Sequence, residues 1–476
     1  MKKFLTILVL VVFAIAVGAY FFLFGKKDVC KNVIPQDAKA VLVIDAKQAL
    51  KQMDFSISDI FKALKHRQQQ KEVDKAAWGI DILAPMYGFV SADNYVCGVF
   101  ALSDADDFEE RLKDEGIAVE SQRGFKWAHK GEILLCFDAE KALAIGPVNK
   151  AESDGMRGKM VEWMKQGSHK VPILSSLKKD DGVICLRSSL GVQPQTISNQ
   201  FAGNIQNVNM DDIFLNASLK VKEKAFLLST ELESEDENFT KYASEFDKLF
   251  RPIEAKKLPS CIEEPMFRAI LNVNGEDVLP KLRENVLVRT MLVGINLCID
   301  LDMMIKSIDG DVLFEYGGRS ASSPTVVASA QIKNQDFLKN AKDWCSGSSK
   351  FGYNCQALGD KDFVLQNDRG KYFFGVHDDF LYLSFDKGKT LQFSAPQLER
   401  NISLVREQAQ GKRLYASVDI GKIDYLYLSL SGPFPQENKS STGLEHLNLS
   451  VIDFRHMECE LITSVKTSDF IKELLK

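Results

Sequence analysis

The sequence has few of the side chains from which catalytic and metal-binding motifs are built. Its 476 residues include six histidines, and none of them forms His-x-His or His-Glu-x-x-His. Cys-x-x-Cys, Gly-x-Ser-x-Gly and Gly-x-Gly-x-x-Gly are also missing. Those spacings identify zinc sites, serine hydrolases and dinucleotide folds. We therefore expect no cofactor, assign no catalytic, cofactor-binding or metal residue, and favour a protein that is not an enzyme. A hydrolase with dispersed site residues stays open as a third alternative.

The sequence also lacks a block of like charge. The net charge is −5, and the basic residues are spread through the chain without a long run. Proteins that bind nucleic acid usually carry a clustered basic surface, so we expect no nucleic-acid partner. With 26% charged and 45% hydrophobic residues, the composition is that of a globular protein. The length suggests two to four domains.

The longest apolar run lies at the N-terminus, where residues 4–24 contain no charged side chain. A helix of this length crosses a hydrocarbon core of about 30 Å. We expect residues 1–27 to be a membrane anchor or a signal segment, and the length favours the anchor. Lys2 and Lys3 predict a cytoplasmic N-terminus. The expected location is the inner membrane, single pass, with the bulk of the chain in the periplasm; an exported and cleaved form is the second choice.

Two stretches of the sequence resemble each other. AVLVIDAKQAL at 40–50 returns as AILNVNGEDVL at 269–279, an offset of 229 residues. The pair Asp-Phe at 107–108 recurs at 336–337 with the same offset. Later matching blocks have offsets of 248 and 231 residues. Offsets that stay within a loop's length of one another predict a tandem duplication.

Each half of the duplication is expected to contain two lobes. The first half covers 28–258, with lobes near 33–148 and 181–250, and the second covers 259–476, with lobes near 262–393 and 412–476. Leu215, Ala217 and Leu219 alternate with polar residues, which is typical of a half-buried antiparallel strand. Short turns between such runs predict hairpins. The expected fold class is α+β, with antiparallel sheets and flanking helices, preceded by one N-terminal transmembrane helix.

Local signals place two helices. In SDADDFEERL, Ser103 or Asp104 is expected to cap a helix whose first turn is acidic. Met156, Met160 and Met164 recur at helical spacing and predict a buried helical stripe.

Four residues are candidates for a specific role. Cys345 and Cys355 lie in WCSGSSKFGYNC, where an exported protein can close a disulfide, and two free thiols are the equally weighted alternative. His129 and His377 each precede an aspartate by nine residues in similar hairpin patterns. These histidines are either paired ligands of unknown role or polar residues that suit a solvated turn, and the second interpretation is favoured.

The order of several blocks resembles a known family. The blocks are VIPQDAKAVLVIDAKQAL, GIDILAPMYGFV, DADDFEERL and ALAIGPVNKAESDGMRGKMVEWMKQ. Together they resemble uncharacterised envelope proteins of Bacteroidetes-type bacteria, a domain of unknown function in which many members look like lipoproteins. This sequence departs from that pattern because no lipobox precedes Cys30. The resemblance implies an extracytoplasmic site and an α+β architecture, and it brings no activity.

Binding is the function that we expect. The anchor, the duplication and the missing motifs favour a membrane-anchored, periplasm-facing protein that binds an envelope protein or a ligand. The alternative is a carrier or chaperone for apolar cargo such as lipid or lipoprotein, suggested by antiparallel strands and 31 phenylalanines.

Overall fold

The structure is a computed structural model in which the chain forms antiparallel sheet flanked by helices. It describes residues 28–52, 79–149, 151–167, 169–178, 182–192, 208–256, 262, 264–296, 299–319, 324–341, 343–344, 354–368, 370–385, 403, 405–422 and 443–474. The contacts divide these residues into two compact units. The first unit ends at Ser188, and the second comprises the residues from Ser189 onward together with Gln52.

The described residues of the first unit form eight strands. They are β1 Ala40–Ile44, β2 Met86–Val90, β3 Val96–Ala101, β4 Val119–Gln122, β5 Phe125–Lys130, β6 Ile133–Phe137, β7 Lys141–Gly146 and β8 Ile184–Ser189. Antiparallel pairing gives the order β8–β1–β2–β3–β7–β6–β5–β4. Its helices are α1 Ala46–Gln52, α2 Ala105–Asp114, α3 Ser153–Lys165 and α4 Pro172–Ser175.

Thirteen strands lie in the described part of the second unit. They are β9 Phe214–Lys222, β10 Ala225–Glu233, β11 Phe250–Arg251, β12 Phe267–Asn274, β13 Ile308–Arg319, β14 Pro324–Ile332, β15 Asn354–Ala357, β16 Asp362–Asn367, β17 Gly370–His377, β18 Phe380–Ser384, β19 Leu414–Asp419, β20 Leu444–Val451 and β21 His456–Thr463. Its helices are α5 Glu237–Leu249, α6 Gly275–Glu284, α7 Val286–Asn296, α8 Leu301–Ser307 and α9 Thr467–Leu474.

Pairing in the second unit is antiparallel throughout the described strands. The order is β9–β10–β21–β20–β19–β12–β13–β14–β18–β17–β16–β15, and β11 pairs with the end of β12 beyond β19. The stretch from β19 to β15 has the same order, strand for strand, as the stretch from β8 to β4 in the first unit.

The structure confirms the local predictions: a helix cap, a buried helical stripe and hairpins. Asp104 caps α2 by accepting from the backbone N–H groups of Asp106 and Asp107 at 2.9 and 3.1 Å, which satisfies two donors that the first helical turn leaves free. The methionine stripe of α3 is buried at Met156, Met160 and Met164. Hairpins join β5 to β6, β9 to β10 and β17 to β18 where short turns were expected.

The expected fold class, a tandem duplication of a two-lobed α+β unit with antiparallel sheets and flanking helices after one N-terminal transmembrane helix, was wrong. β1, from the expected first lobe, pairs along its whole length with β8 from the expected second lobe. β12 pairs with β19 from Phe267 to Leu271, and β10 pairs with β21. The described residues instead form antiparallel sheet with 21 strands, eight assigned to the first unit and thirteen to the second. Alternation along the sequence identifies a strand but does not identify its partner when the intervening segment is long.

The expectation of a transmembrane helix, and with it a single-pass inner-membrane location, is withdrawn. In the part of the chain that the structure describes, no helix is long and apolar enough to cross a bilayer. Residues 1–27, to which the expectation applied, lie outside the described residues. We therefore assign the protein no location.

Candidate functional site

The two faces of the sheet in the second unit differ sharply in chemistry. Directly opposite residues of an antiparallel pair lie on the same face, so each face can be followed from strand to strand. On β12, Ala269 lies opposite Ala416 of β19 and Phe314 of β13. The adjacent Arg268 points to the other face, where it lies opposite Glu315.

One face is apolar over nine strands, and we call it the apolar face. Its middle row runs through Leu219, Leu228, Cys459, Leu449, Ala416, Ala269, Phe314, Ala328 and Leu383. The flanking rows contain Phe226, Leu461, Leu447, Val418, Phe267 and Tyr316 on one side, and Thr230, Met457, Val451, Leu414, Leu271 and Val312 on the other. None of these residues is charged.

The apolar face is the more exposed of the two. None of its residues named above is buried, and Leu228, Phe314 and Leu383 are 39%, 38% and 39% exposed. On a sheet with one solvated face, the apolar side chains normally lie against the core and the polar ones in water. This sheet reverses that arrangement along the strands from β10 to β13.

The opposite, polar face is buried around an ion pair. Glu315 is 0% exposed and Arg268 8%. Nε and Nη2 of Arg268 lie 2.9 and 2.8 Å from Oε1 of Glu315, and Oε2 accepts from the backbone N–H of Ile262 at 3.2 Å. A buried carboxylate is tolerated when its lone pairs are satisfied in this way.

A second buried carboxylate lies farther along β13. Asp311 accepts from the side-chain amide of Asn272 at 2.8 Å and from the backbone N–H groups of Glu254 and Ala255 at 3.1 and 2.7 Å. It therefore holds the segment around Ala255 against this face. These bonds explain how polar side chains can occupy the interior side of the sheet while the apolar side chains point the other way.

Two cavities open on the polar face. The larger, about 340 Å³, is bordered by Arg268, Asp419, Lys422 and His446. Nζ of Lys422 lies 3.2 Å from a carboxylate oxygen of Glu264 and 3.2 Å from one of Asp419. The ammonium group of Lys422 is thus neutralised by two carboxylates of the protein. The smaller cavity, about 220 Å³, includes Lys412 and Tyr415 in its lining.

The structure places the two candidate histidines in different units. His129 is near the end of β5, with Nε2 buried and without a hydrogen-bond partner among the described residues. His377 ends β17, and its Nδ1 lies 3.4 Å from Asp378. In the strand order common to the two units, β5 corresponds to β16 and β17 corresponds to β6. A functional role for either histidine stays a prediction.

The candidate disulfide also stays a prediction. Cys355 is buried on β15 among the apolar side chains of Trp344 and Phe363, and Cys345 lies outside the described residues. Other cysteines are core residues: burial raises the pKa of Cys30, Cys97 and Cys136 to about 12. Such thiols are poor nucleophiles at neutral pH.

No metal centre emerges from the described part of the chain. These residues contain no group of three or more histidine, cysteine, aspartate or glutamate side chains that could hold a metal ion.

Sequence reasoning missed the apolar face and the Arg268–Glu315 pair. The alternation in FRAILNVN, residues 267–274, was a usable signal, because Arg268 and Asn272 alternate with apolar residues. The period-two pattern separates the faces of a strand without stating which one is packed.

Comparisons with known proteins identify a family but no activity. Residues 30–431 match the model of a family described as "Domain of unknown function (DUF4836)". No curated protein matches the chain. Two solved structures, described as crystal forms IV and III of TP0453, share 11% and 12% identity with it at a TM-score of 0.28. The matches cover 43% and 47% of this chain and 80% and 88% of the other. Scores this low carry no argument about function.

Proposed function

Because the chain belongs to the family described as a domain of unknown function (DUF4836), its function has to be argued from geometry, and we propose that it binds an apolar ligand on the apolar face. The ligand is an acyl chain or a hydrocarbon of similar length, held without chemical change. The protein then acts as a carrier or a chaperone for apolar cargo.

The observation that supports this proposal is that the apolar face of the sheet is exposed while the polar face is buried. Exposed apolar patches beyond a few hundred Å² are uncommon on monomeric proteins and usually mark a binding surface. Here nine neighbouring strands contribute a row of apolar residues, none of them buried. Water contact with these side chains is unfavourable by roughly 25 cal/mol for each Å² of apolar surface.

The composition of the face favours a hydrocarbon chain over a protein partner. Protein interfaces carry about one hydrogen bond for every 100–200 Å² and a polar rim. On the apolar face, Thr230 and Tyr316 supply the hydroxyl groups, and none of its residues is charged. Ala416 and Ala269 are neighbours between the larger Leu449 and Phe314, so two small side chains lie between two bulky ones. A chain of about ten buried methylenes supplies roughly 8 kcal/mol before the costs of ordering.

Native mass spectrometry of the full chain, purified without detergent, tests the proposal, with organic extraction of whatever is bound. A stoichiometric lipid or other acyl-chain molecule is the expected result. A protein of the calculated mass that also fails to bind added oleate contradicts the proposal. If a co-purifying protein crosslinks to this face, the apolar face binds a protein partner and not an acyl chain.

Cys459 gives a second, site-specific readout because it lies in the middle row of the apolar face and is partly exposed. Burial raises the pKa of this thiol, so alkylation is followed near pH ~8.5, around the ordinary pKa of a thiol. Oleate, added below its micelle concentration, is expected to slow the alkylation of Cys459 at least about fivefold, as mapped by peptide mass spectrometry. An unchanged rate at saturating oleate places the ligand elsewhere.

A further inference from the structure

The smaller cavity of the second unit lies on the polar face, on the side of the sheet opposite Cys459. Three adjacent strands form its floor: Tyr415 comes from β19, Asn448 and Ser450 from β20, and Glu458 from β21. Tyr415, Ser450 and Glu458 occupy one row, since Ser450 lies opposite both of the others. With about 220 Å³, the cavity is smaller than the 300–1,000 Å³ typical of drug-sized ligands.

Lys412 contributes an ammonium group to this cavity without an anionic partner. Its Nζ donates to Oγ of Ser450 at 2.7 Å and lies 5.4 Å from the centre of the Tyr415 ring. It forms no salt bridge with any described residue. Burial lowers the pKa of Lys412, and the nearby Glu458 opposes that shift.

Glu458 is the matching carboxylate without a cationic partner. Its neighbour Glu460 is neutralised by Lys222, at 2.8 Å. Among the residues that the structure describes, Glu458 makes neither a salt bridge nor a side-chain hydrogen bond. The lining holds two cations, Lys222 and Lys412, and two anions, Glu458 and Glu460. Lys222 and Glu460 pair with each other, whereas Lys412 and Glu458 are close enough to influence each other but do not pair directly.

We propose that this cavity binds a small zwitterion, with the ligand carboxylate at Lys412 and the ligand ammonium at Glu458. Ser450 and Asn448 supply hydrogen-bonding groups beside the ligand, and Tyr415 lines the site with its hydroxyl donating to Oε1 of Gln408. The chemical class is that of a free α-amino acid with a small side chain. This site is separate from the apolar face and goes beyond the binding of apolar cargo.

The charges argue against simpler ligands. An anion alone would gain Lys412 but approach Glu458, and a cation alone would gain Glu458 but approach Lys412. Like charges a few ångströms apart in a poorly solvated site are unfavourable. A zwitterion satisfies both groups at once.

Isothermal titration calorimetry of the full chain with L-alanine, acetate and ethylamine tests the site. L-alanine is expected to bind saturably, and acetate and ethylamine at least tenfold more weakly. Equal affinity for acetate and L-alanine, or no saturable binding of any small amino acid, overturns the proposal.

Variants link the binding to the two charges. Lys412→Met and Glu458→Gln are each expected to weaken L-alanine at least tenfold, whereas Lys412→Arg, which keeps the charge, retains part of the affinity. Lys224→Met, in the exposed β9–β10 turn, is the matched control and leaves the affinity unchanged. Thermal melting of each variant shows whether the fold is kept. Loss of binding by Lys412→Met supports the assignment only if that variant is folded. If Lys412→Met and Glu458→Gln bind as the wild type does, the site is elsewhere.

Oleate protection of Cys459 in the same variants separates the two proposals. An intact oleate effect with no amino acid binding contradicts the zwitterion site alone. Amino acid binding without an oleate effect contradicts the apolar ligand alone.

Discussion

At the scale of single residues, the buried pair Arg268–Glu315 is the most consequential contact of the polar face. Taking two charges out of water costs several kcal/mol for each ion, and their mutual attraction offsets this only with good geometry and further hydrogen bonds. The pair meets that condition through two N–H donors of Arg268 and the backbone N–H of Ile262.

Glu315→Leu is expected to destabilise the protein by about 3–5 kcal/mol, because it removes the carboxylate that pairs with the buried Arg268 guanidinium. The free energy of unfolding from equilibrium urea titration measures the loss. The double variant Arg268→Met/Glu315→Leu is expected to recover most of it, since no uncompensated charge remains. Equal losses in the single and double variants would show that packing, and not charge, dominates.

Lys412 makes stability depend on pH in a defined direction. Its pKa is lowered in the folded state from the ordinary 10.5, so the unfolded chain holds this proton to higher pH than the folded chain does. Between the two pKa values the unfolded state binds more protons, and stability therefore rises with pH. The groups that face the ammonium are Lys222, Glu458 and Glu460.

The stability difference between the wild type and Lys412→Met is expected to shift in favour of the wild type as the pH rises towards 10.5. Urea titrations of both proteins at several pH values from neutral upward measure it. Lys224→Met, at an exposed turn, provides the control with no such slope. A difference that is constant with pH would mean that the folded protein does not lower this pKa.

At the scale of elements, the packing of α6 against α8 depends on a glycine. A Cβ at Gly275 would lie 1.6 Å from the carbonyl oxygen of Ile305 and 2.6 Å from its carbon. Both contacts are with backbone, which cannot turn aside as a side chain can. Gly275 is therefore required for the close approach of the two helices.

Gly275→Ala is expected to destabilise the protein by about 1–3 kcal/mol, because α8 has to move. Gly155→Ala in α3 is the matched control, since a Cβ there has nothing within 4 Å. That substitution should stabilise by about 0.4–1 kcal/mol by restricting the unfolded chain. Melting temperatures compare the two, and a neutral Gly275→Ala would contradict the close packing.

Similar sequence patterns in this chain do not always fall on corresponding strands. His129 and His377 fall in similar hairpin patterns, yet their strands β5 and β17 occupy different places in the common strand order. The Gly/Asp-rich stretch CQALGDKDFVLQNDRGK, at 355–371, contains the whole of β16, Asp362–Asn367. Hairpin turns share their chemistry, so neighbouring hairpins imitate one another in sequence.

At the scale of the whole molecule, substitutions on the apolar face are expected to weaken ligand binding with little effect on stability. Leu228→Glu and Phe314→Glu are expected to weaken the binding of a fluorescent fatty acid at least tenfold, because a carboxylate loses hydration when the chain covers it. Their unfolding free energies should change by less than about 1 kcal/mol, since both side chains are partly in water already.

Ile133→Glu is the control for this pair, because Ile133 is 56% exposed on β6, outside the apolar face. It should leave fatty-acid affinity unchanged. If all three variants weaken binding equally, the fatty acid responds to net charge and not to the apolar face.

The sequence by itself determined the local structure: the cap at Asp104, the methionine stripe of α3, the hairpins and the antiparallel strands. These depend on neighbours within a few residues, which the spacing of side chains records. Only the tertiary structure decided which strands pair across long segments, as β1 does with β8, and which side of each strand is packed. Alternation sorts side chains between two faces, but the burial of either face depends on contacts with distant segments. The satisfied carboxylates of Asp311 and Glu315 are what allowed the polar side to become the interior.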